Sequence, residues 1–217
     1  MVVRDVVAGY MKDKQTRFWT VAIAVVFLLM GSWYAYRSHS RSYEQKAQLT
    51  FSTGLEALAR AKSEKTNVQL WTTAESLFLE GYDSYKRSSY APYFLLFAAD
   101  IANEQGNIEK SIEYIERAAA LIPKQAPLSL PMQIRLALQR IDAKDEVVRE
   151  QGLAQLQAFA ADEKNPYRAM ALYFDGLRSF ESGDRESAER VWQPLVSGVK
   201  KNSVWGELAS AKLAYQL

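Results

Sequence analysis

The sequence predicts an all-α protein in which one N-terminal transmembrane helix is followed by a tetratricopeptide-like α-solenoid. Three observations carry this. The 19 residues from Phe18 to Tyr36 contain no charge. Beyond Arg41 the strong helix formers Ala, Leu, Glu, Gln, Lys and Arg dominate, and the 217-residue chain holds only 10 Gly and 6 Pro. Two segments, 91–123 and 166–196, repeat a pattern of helix, Gly-containing turn and helix.

Residues 1–17 form a short tail. Val2, Val3, Val6, Val7, Tyr10 and Met11 recur at helical spacing. The pattern fits an amphipathic helix on a membrane surface, a partner contact, or a frayed terminus without a role.

Residues 18–36 read as the membrane span. At about 1.5 Å per residue, such a stretch nearly crosses a hydrocarbon core of roughly 30 Å. Phe18 and Trp19 at one end and Trp33, Tyr34 and Tyr36 at the other follow the interfacial belt pattern. A core helix rarely stays uncharged this long. A cleaved signal peptide has a shorter apolar run followed by an A-x-A site, and none follows the run here. Lys12, Lys14 and Arg17 precede the span, so the positive-inside rule predicts a cytoplasmic tail and a domain across the membrane.

The remainder, 42–217, is long enough for one well-buried domain. In 42–64, Ala47, Phe51, Leu55 and Leu58 share a helical face, and Trp71, Ala74, Phe78, Tyr82 and Tyr85 mark a second helix. This first pair is atypical, and its first helix can run on directly from the anchor. The 91–123 unit is sharper. Leu95, Ala98, Ala99 and Ala102 line its first helix, Gly106-Asn107 makes the turn, Ser111, Ile115 and Ala118 follow, and Pro123 closes it. Small residues let antiparallel helices approach, and Gly supplies a positive-φ turn. In 166–196, Leu172, Gly176, Gly183, Ala188 and Trp192 fall at matching offsets. Gly106 and Gly183 are 77 residues apart, two 34-residue repeats plus nine. A degenerate unit at 131–161, with a lengthened turn near Ala143–Glu150, is expected to hold the excess. Val204–Leu217 reads as a capping helix.

Composition and motifs narrow the function. Without Cys there is neither a disulfide framework nor a thiolate metal site. A formal charge of +2, evenly mixed, gives no nucleic-acid surface. No metalloprotease, P-loop, nucleophile-elbow or EF-hand motif occurs. His39, the only His, lies just past the span. The acid pairs Glu109/Glu113 and Glu186/Glu189 read as solvated helix faces. The expectation is a non-enzyme without cofactor or metal.

In stacked helix pairs the first helices line a binding surface. Mapped onto the three units, that lining is Tyr93, Leu96, Asp100 and Asn103, then Ile134, Leu138 and Ile141, then Tyr173, Leu177 and Phe180. Such an apolar lining fits a groove for an apolar peptide or an amphipathic helix. The alternative is that the C-terminal helix or a tight superhelix already buries it. Leu96 and Asp100 leave no basic clamp for a peptide carboxylate.

The strings SSYAPYFLLFAADIANEQGNIEKSIEYI at 88–115 and YFDGLRSFESGDRESAERVWQPLV at 173–196, placed after a short tail and one anchor, resemble the YfgM family, the ancillary subunit of the bacterial Sec translocon. Trp71 falls outside the family pattern. The resemblance implies a bacterial inner-membrane anchor with a cytoplasmic N-terminus and a periplasmic domain. It implies Sec translocon subunits, a membrane-anchored periplasmic chaperone and exported client proteins as partners. A self-assembling envelope-biogenesis adaptor and a membrane-bound enzyme of unrecognised type are the competing readings.

Overall fold

The computed structural model describes residues 14–197 and 203–214. The apolar pattern at Val2–Met11 lies outside them. Nine α-helices and no strand occur among the described residues: α1 (Lys14–Ser63), α2 (Val68–Ser84), α3 (Ala91–Glu104), α4 (Ile108–Leu121), α5 (Ser129–Ile141), α6 (Glu146–Ala161), α7 (Arg168–Glu181), α8 (Arg185–Val196) and α9 (Val204–Ala214). The chain divides into two units, Met1–Leu49 and Thr50–Leu217, with the boundary inside α1.

In the first unit α1 is long and apolar enough to cross a membrane. Over 25–30 its large apolar side chains have no protein cover: Phe27 is 69% and Leu28 70% exposed. Among the described residues no other helix combines that length with that hydropathy.

The second unit is built of antiparallel helix pairs. Gly106 and Gly183 adopt φ of +73° and +86°, the left-handed turn that favours Gly. Asn107 and Asp184 then cap α4 and α8 by accepting from the backbone N–H of Lys110 and Ser187. The Asp184 carboxyl is held below the usual range, chiefly by its hydrogen bonds from Ser187. The α5–α6 turn spans only 142–145, and Glu146–Glu150 is already helix, so the expected lengthened turn is corrected. It needs no positive φ, hence no Gly. Arg149 closes it by donating to the carbonyls of Ala143 and Lys144.

The nine extra residues are not one insertion. Helices α3, α5 and α7 start at 91, 129 and 168, so successive units are 38 and 39 residues long. Loops 122–128 and 162–167 absorb part of the excess, and the 16-residue α6 another part.

Two aromatic clusters fill the core. In the first, Phe51 meets Phe78, Phe94 and Phe97 with ring centroids 5.3–5.8 Å apart. Gly54 and Gly81 make room: a Cβ on either would lie within 3 Å of the Phe78 or Phe94 ring. That approach turns Leu55 outward, 36% exposed, although the periodicity placed it on the buried face with Phe51 and Leu58. Trp71, which has no place in the repeat pattern, is buried and donates its indole N–H to the Lys65 carbonyl, closing the α1–α2 turn. A polar lock joins α2 to α4. Buried Glu75 accepts from the Tyr114 hydroxyl (3.1 Å) and pairs with Lys110 (2.8 Å). The Glu75 hydrogen bond raises the Lys110 pKa, and burial raises that of Tyr114.

Helices α5 and α6 come closest at Gly152. A Cβ there would meet the Ala137 carbonyl oxygen at 2.6 Å and the Ile141 nitrogen at 2.9 Å, both backbone atoms that cannot step aside. Gly152→Ala is therefore expected to destabilise the domain. Helix propensity returns up to about 1 kcal/mol, overpacking costs about 1–3 kcal/mol, and the net loss is roughly 1–2 kcal/mol. A lower urea midpoint at unchanged slope is the expected result, and an equal or higher one contradicts it.

Candidate functional site

The first helices of the three pairs, α3, α5 and α7, carry the predicted lining. Ten residues were expected there, and the structure separates them into three groups. Leu96 (6% exposed), Ile134 (0%) and Tyr173 (7%) are core, which corrects their placement on an open groove. Leu138, Ile141, Leu177 and Phe180 are half-buried against the second core cluster. Tyr93 and Asn103 are exposed, and Asp100 is half-buried.

The C-terminal helix accounts for part of this burial. On α9, Trp205 packs against Tyr173 (5.4 Å between centroids) and Phe174 (5.7 Å), and the Lys212 ammonium sits 6.0 Å from the Phe180 ring centre. Arg185 donates to the Leu213 carbonyl, holding the end of α9. Over the third pair the alternative of a surface covered by the chain's own C-terminus describes what is seen.

What remains accessible between α3 and α5 is polar. Asp100 pairs with Arg135, and the Gln139 amide donates to Asn103 Oδ1 at 2.9 Å. Arg135 and Gln139 were not among the expected residues. They follow Ile134 and Leu138 by one position, about 100° around the helix. A signal existed: acid and base 35 residues apart, and two amides 36 apart, each close to one repeat length.

Asp142, at the C-terminal end of α5, lies near Glu181 of α7. Burial, with Glu181 nearby, raises the Asp142 pKa. Burial also raises that of Asp175, which is 8% exposed, and Arg178 only partly offsets it. The sign follows from linkage. A folded pKa above the unfolded value means the native state holds the proton more tightly. The contribution is fully present below the ordinary aspartate value of 3.8 and is lost as pH rises through the folded value. Asp175→Asn removes that loss. The variant is expected to melt close to wild type near pH ~4 and above it near pH ~7. Equal melting temperatures at both would contradict the assignment.

Among the described residues no three His, Asp or Glu side chains come together as a metal site. The Glu75–Lys110–Tyr114 cluster, with Glu75 and Tyr114 buried, ties two helices together.

A family profile for the tetratricopeptide repeat-like domain matches residues 13–213. The chain belongs to the tetratricopeptide repeat-like domain family. No curated protein and no solved structure matches it. Tetratricopeptide-like domains are generally non-catalytic scaffolds for protein–protein interaction. The Gly106 and Gly183 turns and the stacked pairs are the tetratricopeptide-like features of this chain.

Proposed function

We propose that the chain is a membrane-anchored, non-catalytic scaffold: a tail at 1–17, an anchor at 18–36 and a protein-binding tetratricopeptide-like domain at 42–217. The observation that carries this is the uncharged Phe18–Tyr36 stretch, whose apolar side chains lie bare of protein cover. Leaving them in water forfeits roughly 1.5–3 kcal/mol for each large side chain, and lipid removes that cost. The cations before the span support a cytoplasmic tail and a domain across the membrane, and the family resemblance makes that membrane a bacterial inner membrane and the far side the periplasm.

The resemblance of 88–115 and 173–196 to the YfgM family supports a specific setting. In it the chain is an ancillary factor of the Sec translocon and of a membrane-anchored periplasmic chaperone, acting on exported clients. The partner surface is the α3–α5–α7 side, reached through Tyr93, Asp100 and Asn103 with Leu138, Ile141, Leu177 and Phe180 behind them. Leu96, Ile134 and Tyr173 support it from within the core.

The test is photo-crosslinking in cells, with a photoreactive amino acid at Phe27 and Leu28 in the anchor and at Asn103 and Leu138 in the domain. Capture of translocon subunits, the chaperone or exported chains is the expected outcome. Capture of none of these, with the chain present at normal level, sinks the translocon assignment.

A further inference from the structure

At the C-terminal end of its apolar stretch, α1 carries a collar of aromatic and basic side chains. Trp33, Arg37 and Arg41 follow at i, i+4 and i+8, so they share one helix face and drift only about 40° at each step. Tyr34 and Tyr36 flank that face. Trp33, Tyr34 and Tyr36 are 60%, 72% and 75% exposed, and both arginines are exposed as well. The Arg37 guanidinium lies 5.2 Å from the Trp33 ring centre. The chain has no Asp or Glu between Asp13 and Glu44. Among the described residues neither arginine has an ion pair.

Depth follows from helix spacing. With the span ending at Tyr36, Arg37 stands at the edge of the hydrocarbon, and Arg41 stands about 6 Å further along the axis. The headgroup layer on each side of a bilayer is roughly 5–7 Å deep. Both guanidinium groups therefore fall in the layer that holds the lipid phosphates. A guanidinium meets a phosphate with two parallel N–H donors, a fit that a point charge lacks. Cation–π attraction to Trp33 holds Arg37 in place before any lipid arrives. A zwitterionic headgroup offers its phosphate together with an ammonium that repels arginine. An anionic headgroup offers the phosphate without that opposition.

We propose that this collar binds the phosphate of an anionic phospholipid, of the phosphatidylglycerol type, in the leaflet at the C-terminal end of the span. Arg37 and Arg41 would hold the phosphate, and the Trp33 ring would lie beside the glycerol and the upper acyl chains. The proposal rests on the reading of 18–36 as an anchor and goes beyond it. A purely hydrophobic anchor accepts any lipid, whereas this one selects among them by charge.

The test uses the full chain carrying Trp19→Phe, which leaves Trp33 as the only Trp of the 18–36 stretch. The chain is placed in phosphatidylcholine bilayers containing an equal fraction of either brominated phosphatidylcholine or brominated phosphatidylglycerol, and quenching of tryptophan fluorescence is compared. Bromine quenches at short range, so the ratio reports which lipid lies against Trp33. An arginine near an anionic surface contributes about fivefold. The parent chain is expected to prefer phosphatidylglycerol by at least about fivefold, Arg37→Gln and Arg41→Gln each to lower that preference, and the double variant to abolish it. Equal quenching by the two lipids in the parent chain, or an unchanged preference in the double variant, overturns the proposal and leaves the anchor standing. Quenching by neither lipid places Trp33 outside the bilayer, and then the anchor reading falls with it.

Discussion

Replacing Trp192 by Ala is expected to cost the domain about 3–5 kcal/mol, the range for deleting a buried aromatic side chain. Trp192 is fully buried on α8. It stacks on Tyr173 with ring planes 16° apart and tilts against Phe180. Its indole N–H donates to the Tyr173 carbonyl at 2.9 Å. The socket opposite is Gly176, where a Cβ would fall 2.3 Å from Nε1, so the wall facing the indole has no side chain of its own to fill the space. The variant loses packing and the second hydrogen bond to the Tyr173 carbonyl, which keeps its helical partner. Because Tyr173 also supports Trp205, the capping helix loosens with it. The readout is chemical denaturation of the full chain in micelles, followed by circular dichroism. A loss below about 1 kcal/mol would mean that the third pair does not depend on this socket.

The second large effect concerns the anchor. Val26→Arg combined with Leu28→Arg places two guanidinium groups near the centre of the apolar stretch. Each costs about 2.5–3.5 kcal/mol in a helix centred in the bilayer. The doubly substituted chain is expected to leave the membrane fraction on alkaline extraction. Val26 and Leu28 are 53% and 70% exposed, so they contribute little to the domain core. The melting transition of the helical domain is expected to stay where it was. Retention of the variant in the membrane would show that something other than this stretch holds the chain there.

How far the sequence reached differs from place to place, for physical reasons. The Gly106 and Gly183 turns were legible because a positive φ selects Gly and because Asn or Asp follows as the cap. The small residues Ala98, Ala99 and Ala102 announced close helix packing, and all are buried. The α5–α6 turn was misread as long because nothing in Asp142–Asp145 demands Gly, and closure comes from Arg149 five or six residues away.

The lining was the least legible part. Periodicity tells which residues share a helix face, but not how many neighbours cover that face. A first helix in a stacked array touches its own partner and the units before and after it, so most of its circumference is buried. Leu96, Ile134 and Tyr173 lie in those contacts. Arg135 and Gln139, the partners of Asp100 and Asn103, sit one position off the apolar stripe, where a reading from periodicity sees only solvated polar side chains. Trp71 was unplaceable for a related reason: its indole serves a turn carbonyl, and that role has no periodic signature.

The measurement that tests the account most directly uses the absence of Cys. Single substitutions Glu163→Cys, whose side chain is 85% exposed, and Val2→Cys in the tail give unique labelling sites. Intact spheroplasts are treated with a membrane-impermeant maleimide, and their membranes are then extracted at alkaline pH. The account predicts that Glu163→Cys is labelled at once, that Val2→Cys is labelled only after permeabilisation, and that both chains stay in the membrane. Release of the chain by alkali, or protection of Glu163→Cys until lysis, would contradict an anchored scaffold with its domain outside.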